Sequence, residues 1–311
     1  MDARQLRYFA TVCRFKNLSH AADHCNVATS AISHHIANLE AELETKLFVR
    51  KPRGMVPTAA GIKLLDHANG ILSAVDAAIS DVKYGQSEIS GHFAIGMPYS
   101  VIKVIGASLM RSVSEQYPKV RLLLREGLSG VTYATLTNRE IQLALIFNPP
   151  QDPRTERVAL LEEELFCMGH QSIIGATQSP ITWDEMTQLP LFILQSGVLS
   201  RALVDKPGIL ATLEEKAQIQ VASIAATQSA LTERLGCTLA PKVLVSELLE
   251  SGQLNARPIL DPRPLRTLYM VTPAGAEPTQ LSETITELTQ RLVTDAVNNG
   301  QWHAAKTINS R

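Results

Sequence analysis

The chain is 311 residues long, enough for two or three domains. Apolar residues make up 45% and charged residues 19%, which excludes a disordered polyelectrolyte. The net charge is −1, which excludes a uniformly basic protein that coats nucleic acid.

The charge is uneven along the chain. Residues 1–65 hold nine basic groups and five acids, giving +4, and residues 66–311 carry −5. Such asymmetry fits a small anion-binding head on a neutral-to-acidic body. The four cysteines, at 13, 25, 167 and 237, have no C-x-x-C spacing. They read as reduced thiols filling core space, with a Cys167–Cys237 redox pair left open. Neither an apolar signal region nor a run of about 18 apolar residues is visible, so a cytoplasmic location and no membrane partner are expected.

Three short helical patterns open the chain. The first puts Leu6, Phe9, Ala10 and Cys13 on one face after Asp2 as N-cap. The second follows Ser19 as N-cap, runs through Ala21, Ala22 and Cys25, and stops at Asn26. The third starts at Thr29 or Ser30 and aligns Ile32, Ile36, Leu39 and Leu43. Its other face is Ser30, His34, Ala37 and Asn38, with Ser33 on the flank and no acid. A helix that enters a major groove needs small residues, hydrogen-bonding tips and no carboxylate near phosphate. Alone, such a face is more often an ordinary solvated one.

The context favours DNA. Asn26-Val27-Ala28 is the short turn of a helix-turn-helix. Residues 47–58 read as a hairpin wing with Arg50, Lys51 and Arg53 at its tip, within reach of phosphates or a narrow minor groove. His20 and His24 are four apart, a metal-like spacing, but no third ligand is visible, and neither metal nor cofactor is expected.

Several segments together carry a family signature. They are Leu6-Arg7-Tyr8-Phe9, Ser19-His20-Ala21-Ala22, Ala31-Ile32-Ser33, Ile36-Ala37-Asn38-Leu39-Glu40, Leu47-Phe48-Val49-Arg50 and Pro57-Thr58-Ala59-Ala60-Gly61. In this order they resemble the N-terminus of LysR-type transcriptional regulators, most of all the nitrogen assimilation control branch. The resemblance implies that Thr29, Ser30, Ser33 and His34 lie at the groove with Arg53 on the wing. The family often has Gln-Pro and Arg-Gln where this chain has Thr29-Ser30 and His34-His35, so the preferred base sequence is its own.

Residues 59–85 then form a long helical pattern. Leu65, Ala68, Leu72, Val75, Ile79 and Val82 repeat every 3.5 residues or so, the seam of a coiled coil. The expectation is a dimerisation helix, because the small head cannot cover so long a stripe. Gly85 to Gly91 reads as a hinge.

From His92 strands and helices alternate, as in mainly parallel sheets. Strands are expected at 93–97, 120–124 and 143–147, then at 165–169, 191–194, 219–222, 238–240 and 268–271. Helices are expected at 102–113, 200–216, 224–235, 242–249 and 277–297. The layout resembles the two-lobed α/β effector domain of the LysR family, which is similar to periplasmic binding proteins. The expected divisions are 1–58 for the winged helix-turn-helix, 59–87 for the linker helix and 92–311 for the effector domain. Lobe I would span about 92–165 and 268–295, and lobe II about 166–267.

In that family a small ligand sits between the lobes, at strand ends and helix N-termini that favour anions. The matching positions here are Ser100, Leu128, Ser129, Phe147 and Asn148 in the first lobe and Gln195, Ser196 and Arg201 in the second. Arg201 would clamp a carboxylate. The expected effector is a small organic anion. A homodimer or homotetramer and contact with RNA polymerase are implied by the family. No catalytic motif is visible, neither a nucleophile elbow nor a phosphate loop nor a dinucleotide fingerprint, so no enzyme is expected. The alternative is an α/β metabolite-binding or enzymatic protein whose N-terminal domain binds another protein.

Overall fold

The computed structural model describes residues 1–52, 54–84, 89–194, 207–302 and 305–308. The chain divides into two compact units: Met1–His92 with Thr137–Glu140, and Phe93–Leu136 with Ile141–Arg311.

The first unit opens with α1 (Ala3–Phe15), α2 (Leu18–Cys25) and α3 (Thr29–Glu42). Asp2 caps α1 through a reciprocal box with Gln5. The expected Ser19 cap of α2 is corrected to Asn17, whose Oδ1 accepts from the Ser19 and His20 amides. Lys16 turns the chain at φ 52, two residues earlier than expected, so Ser19 falls inside the helix. Asn26 ends α2 at φ 53, as its left-handed tolerance predicts.

A hairpin follows, β1 (Phe48–Lys51) against β2 (Gly54–Pro57), with Lys51 opposite Gly54. Gly54 has φ 119, and a Cβ there would lie 2.2 Å from the Lys16 carbonyl oxygen. That carbonyl accepts from Met55 at 2.8 Å, so only glycine lets the wing approach the end of α1. The core of the unit joins Leu6, Phe9, Ile32, Ile36, Leu39 and Leu47.

The long helix α4 (Ala59–Tyr84) bears the heptad stripe. Its stripe is divided. Leu65, Ala68 and Leu72 pack into the head core, whereas Ile79 is 47% exposed. The head therefore covers the first half of the seam, more than the sequence reading allowed. The side chain of Val82 lies outside the described residues.

The second unit contains two lobes. Lobe I begins with β3 (Gly91–Met97), α5 (Tyr99–Val101), a π-helical turn (Ile102–Gly106) and α6 (Ala107–Gln116). It continues through β4 (Val120–Glu126), α7 (Ser129–Thr137), β5 (Leu143–Phe147) and β6 (Thr155–Glu164). Lobe II holds β7 (Phe166–Gly169), α8 (Gln171–Ile174), β8 (Ile181–Thr182), α9 (Trp183–Thr187) and β9 (Phe192–Leu194). After α10 (Pro207–Lys216) come β10 (Ile219–Val221), α11 (Ile224–Thr232) and β11 (Cys237–Ala240). A 3₁₀ turn (Lys242–Val245), α12 (Ser246–Glu250) and β12 (Asn255–Leu260) complete it. The chain returns to lobe I as β13 (Leu265–Pro273), α13 (Gln280–Asn298) and β14 (Ala305–Thr307).

The expectation of mainly parallel sheets is corrected. The lobe I sheet has the order β14-β6-β13-β5-β3-β4. Its β3–β5 pair is parallel, but β13 runs antiparallel to both β5 and β6, and β14 antiparallel to β6. In lobe II, β7 is antiparallel to β11 and β12. The reason is connectivity: strands that leave a lobe and return run opposite to their neighbours, which no helical crossover reverses. Strands β6, β8, β12 and β14 and helices α7, α8 and α9 are further elements beyond those expected from the sequence.

Candidate DNA interface and effector cleft

Five of the DNA candidates lie on the exposed face of α3. Thr29, Ser30, Ser33, His34 and Asn38 are all exposed on α3, and Ile32, Ile36 and Leu39 are buried behind them. Asn38 Nδ2 is 3.1 Å from His34 Nε2. An amide nitrogen only donates, so in this orientation Nε2 accepts and the imidazole proton sits on Nδ1. With that tautomer His34 keeps one N–H donor and Asn38 its Oδ1 acceptor. Arg50 and Lys51 are exposed on β1, whereas Arg53 lies outside the described residues.

Glu40 shows how the face stays free of acid. Its carboxylate turns away to accept from the Leu47 and Phe48 amides at 2.8 and 3.2 Å and from Lys46 at 2.7 Å. Burial works to raise its pKa, but these three donors prevail and hold it below the usual carboxylate range. One acid therefore fixes the wing to the recognition helix.

Four of the eight effector candidates line a concave site between the lobes. A cleft there is lined by Ser100, Leu128, Ser129 and Phe147 from lobe I. Lobe II contributes Ile224, Thr227, Thr238, Leu239 and Leu244. Asn148 is placed elsewhere: at φ 43 its Oδ1 accepts from the Thr267 amide at 2.9 Å and so pins β5 to β13. Gln195, Ser196 and Arg201 lie outside the described residues.

The sequence reading missed the charge of this cleft, Arg266. It stands opposite Glu163 in the β13–β6 ladder. Its Nε donates to Glu163 Oε2 at 2.7 Å, and its Nη2 lies 3.4 Å from Ser100 Oγ. Its guanidinium carbon sits 3.6 Å from the centre of the Phe147 ring. Glu163 is fully buried and also accepts from Trp302 Nε1 at 2.8 Å. Burial pulls the Arg266 pKa below its ordinary value while Glu163 opposes that shift. One signal was available: period-two alternation puts Arg266 on the same side of β13 as the buried Leu268 and Met270.

Cys167 and Cys237 are both free and buried on adjacent strands. The neighbouring Cys237 thiol and burial both push the Cys167 pKa up, the reverse of what a reactive thiolate requires. Among the described residues no three metal-ligating side chains cluster, and no helix is long and apolar enough to cross a membrane.

Comparison with known proteins decides the family. Residues 3–62 match the bacterial regulatory helix-turn-helix protein domain of the lysR family, and residues 86–293 match the LysR substrate binding domain. The chain belongs to the LysR family. It is 27% identical over 304 residues to the nitrogen assimilation regulatory protein nac of Escherichia coli K12, covering 97% of this chain and 99% of that one. It is 26% identical over 308 residues to the HTH-type transcriptional regulator BbuR of Bordetella bronchiseptica, covering 99% and 95%. The likeness to nac is thus shared with other branches. A structure of full-length OxyR from Pseudomonas aeruginosa superposes with a TM-score of 0.71 at 18% identity, covering 100% of this chain and 99% of that one. This LysR-type protein is a DNA-binding transcriptional regulator with an effector-binding domain, and its homologues are regulators rather than enzymes. The alternative of an enzyme with a protein-interaction head is not favoured.

Proposed function

We propose that a dimer of this regulator reads a two-fold DNA site and that a small organic anion held between the lobes of its second unit controls it. Ser30, Ser33, His34 and Asn38 hydrogen-bond to base edges, Thr29 contacts the backbone beside them, and Arg50, Lys51 and Arg53 contact phosphate. The exposed Ile71 and Ile79, two turns apart on neighbouring parts of the α4 surface, support pairing with a second copy, since exposed aliphatics on a long helix are seldom left in water. Tetramers and contact with RNA polymerase follow from the family, and a cytoplasmic location follows from its DNA target.

The observation that carries the effector reading is a cation, Arg266, in the wall of a largely apolar cleft between the lobes. An effector regulates only if it favours one arrangement of the dimer over another. The test is selection of bound sites from random DNA with and without a panel of organic acids, with particle size measured in parallel. An enriched two-fold motif, a dimer or larger species, and a shift caused by an acid are expected. Enrichment of no motif would refute the DNA assignment, and no shift with any acid would refute the effector assignment.

A further inference from the structure

The buried acid behind Arg266 leads away from the cleft toward the last strand of lobe I. Resting on the reading of this cleft as the effector site, we infer that Trp302 is a positioning residue of that site: it holds Glu163, which aims Arg266, and it registers an anion that arrives at Arg266.

The contacts run without a break. Glu163 lies on β6 between two strands, opposite Arg266 of β13 on one side and Ala305 of β14 on the other. Its two oxygens are divided. Oε2 accepts from Arg266 Nε at 2.7 Å, and Oε1 accepts from Trp302 Nε1 at 2.8 Å. Glu163, Arg266 and Trp302 are all buried, so water does not stand in for a lost partner. Arg266 carries the chain on to the cleft, where its Nη2 lies 3.4 Å from Ser100 Oγ.

Trp302 is itself held. Its ring belongs to the lobe I core that also contains Phe147 and Val293, and its amide donates to the Ala296 carbonyl of α13 at 3.0 Å. The indole N–H is thus a fixed point against which the carboxylate moves. A carboxylate with two donors shares its charge between them. An anion at Arg266 competes with Glu163 for the guanidinium, and the charge it displaces falls on the Trp302 N–H. The Glu163–Trp302 bond therefore strengthens as the Glu163–Arg266 bond loosens. Without the indole N–H the whole charge of Glu163 would bear on Arg266, and an arriving anion would meet a stronger rival.

Tryptophan emission reports such a change. Excitation moves electron density from the pyrrole nitrogen toward the benzene ring of the indole. A less neutralised carboxylate at Nε1 then lowers the excited state and shifts emission to the red.

The chain has two tryptophans, so Trp183→Phe leaves Trp302 as the sole emitter. In that full-length background Ser100→Asp places a carboxylate beside Arg266 with no ligand needed, and Ser100→Asn gives the same size without the charge. Ser100→Asp should shift the Trp302 emission to the red, and Ser100→Asn should not. If Ser100→Asp does not fold, Ser129→Asp and Ser129→Asn take its place in the same cleft, since an acid at the first residue of α7 suits a helix N-terminus. Equal spectra for acid and amide variants would overturn the inference. The background protein is also titrated with acetate, benzoate and 2-oxoglutarate, followed by calorimetry and emission. An acid that binds should give the same red shift. Trp302→Phe, which keeps a ring and loses the N–H, should weaken that acid about tenfold, the scale of a hydrogen bond to a charged group. Binding without a shift, or unchanged affinity in Trp302→Phe, would overturn the role of Trp302 and leave the cleft reading intact. A shift in Ser100→Asp with no binding by any acid would leave the Trp302 link standing and refute the cleft as an organic-anion site.

Discussion

The recognition face of α3 and the cleft between the lobes solve opposite problems. The first is polar and exposed, and all five of its residues come from one helix. The second is concave and largely apolar, and its walls come from segments scattered between Pro98 and Arg266. A face on one helix can change its side chains at little cost to the fold, because the core lies behind it. A cleft cannot, because Phe147 and Arg266 are at once lining and structure.

That contrast can be broken or sharpened by experiment. The largest effect is expected at Phe147→Ala, which removes a buried ring and uncovers the Arg266 guanidinium. It should cost about 3–5 kcal/mol of stability in denaturant unfolding and weaken effector binding together. A stable variant with normal effector binding would contradict the dual role.

The recognition face should behave otherwise. His34→Ala and Asn38→Ala should each cost about 1–3 kcal/mol of base discrimination, read by competition between operator variants. Melting temperature should hardly move, since both side chains are exposed. A marked drop in melting temperature would mean that this face is part of the fold after all.

Glu40 joins the two kinds of role within the head. Glu40→Gln should destabilise the head by about 1 kcal/mol at pH 7. Its folded pKa is lowered, so the charged form stabilises the fold above the unfolded carboxylate value of about 4.3, and that contribution fades as pH falls through the folded value. The gap between wild type and Glu40→Gln in thermal melts should therefore close below about pH 4. A constant gap would mean that the carboxylate charge does not matter there.

The smallest effect belongs to the wing. Lys51→Ala should leave stability within about 0.5 kcal/mol. It should weaken all DNA sequences alike and reduce the salt dependence of log affinity by about one unit. A sequence-dependent loss would move Lys51 from phosphate to base contact.

The same contrast explains what could be read from residues alone. In the head, the helices, the turn at Asn26 and the buried Ile32, Ile36 and Leu39 depend on neighbours a few positions away, so periodicity and capping chemistry reveal them. One slip, Ser19 for Asn17, lies between two good capping residues two positions apart, and another, Leu43, is exposed because α3 ends there. The cleft depends on partners far apart in the chain. Ser100, Leu128, Ser129 and Phe147 were legible as strand ends, a local property. The Arg266–Glu163 pair spans 103 positions, and β6 hid behind its exposed charged half. Asn148 shows that a strand-end amide can tie one strand to its neighbour, a partner 119 positions away that local pattern does not reveal.

The antiparallel β6–β13 ladder has one more consequence. Glu164 and Leu265 face each other at its end, so everything from 165 to 264 departs and comes back through a single doorway in the chain. Lobe II is in effect a cargo inserted into a hairpin. Splicing Glu164 to Leu265 with a short Asn-Gly turn should leave lobe I as a smaller, free-standing protein. Such a piece would give a way to measure what one half of the sensor does without the other.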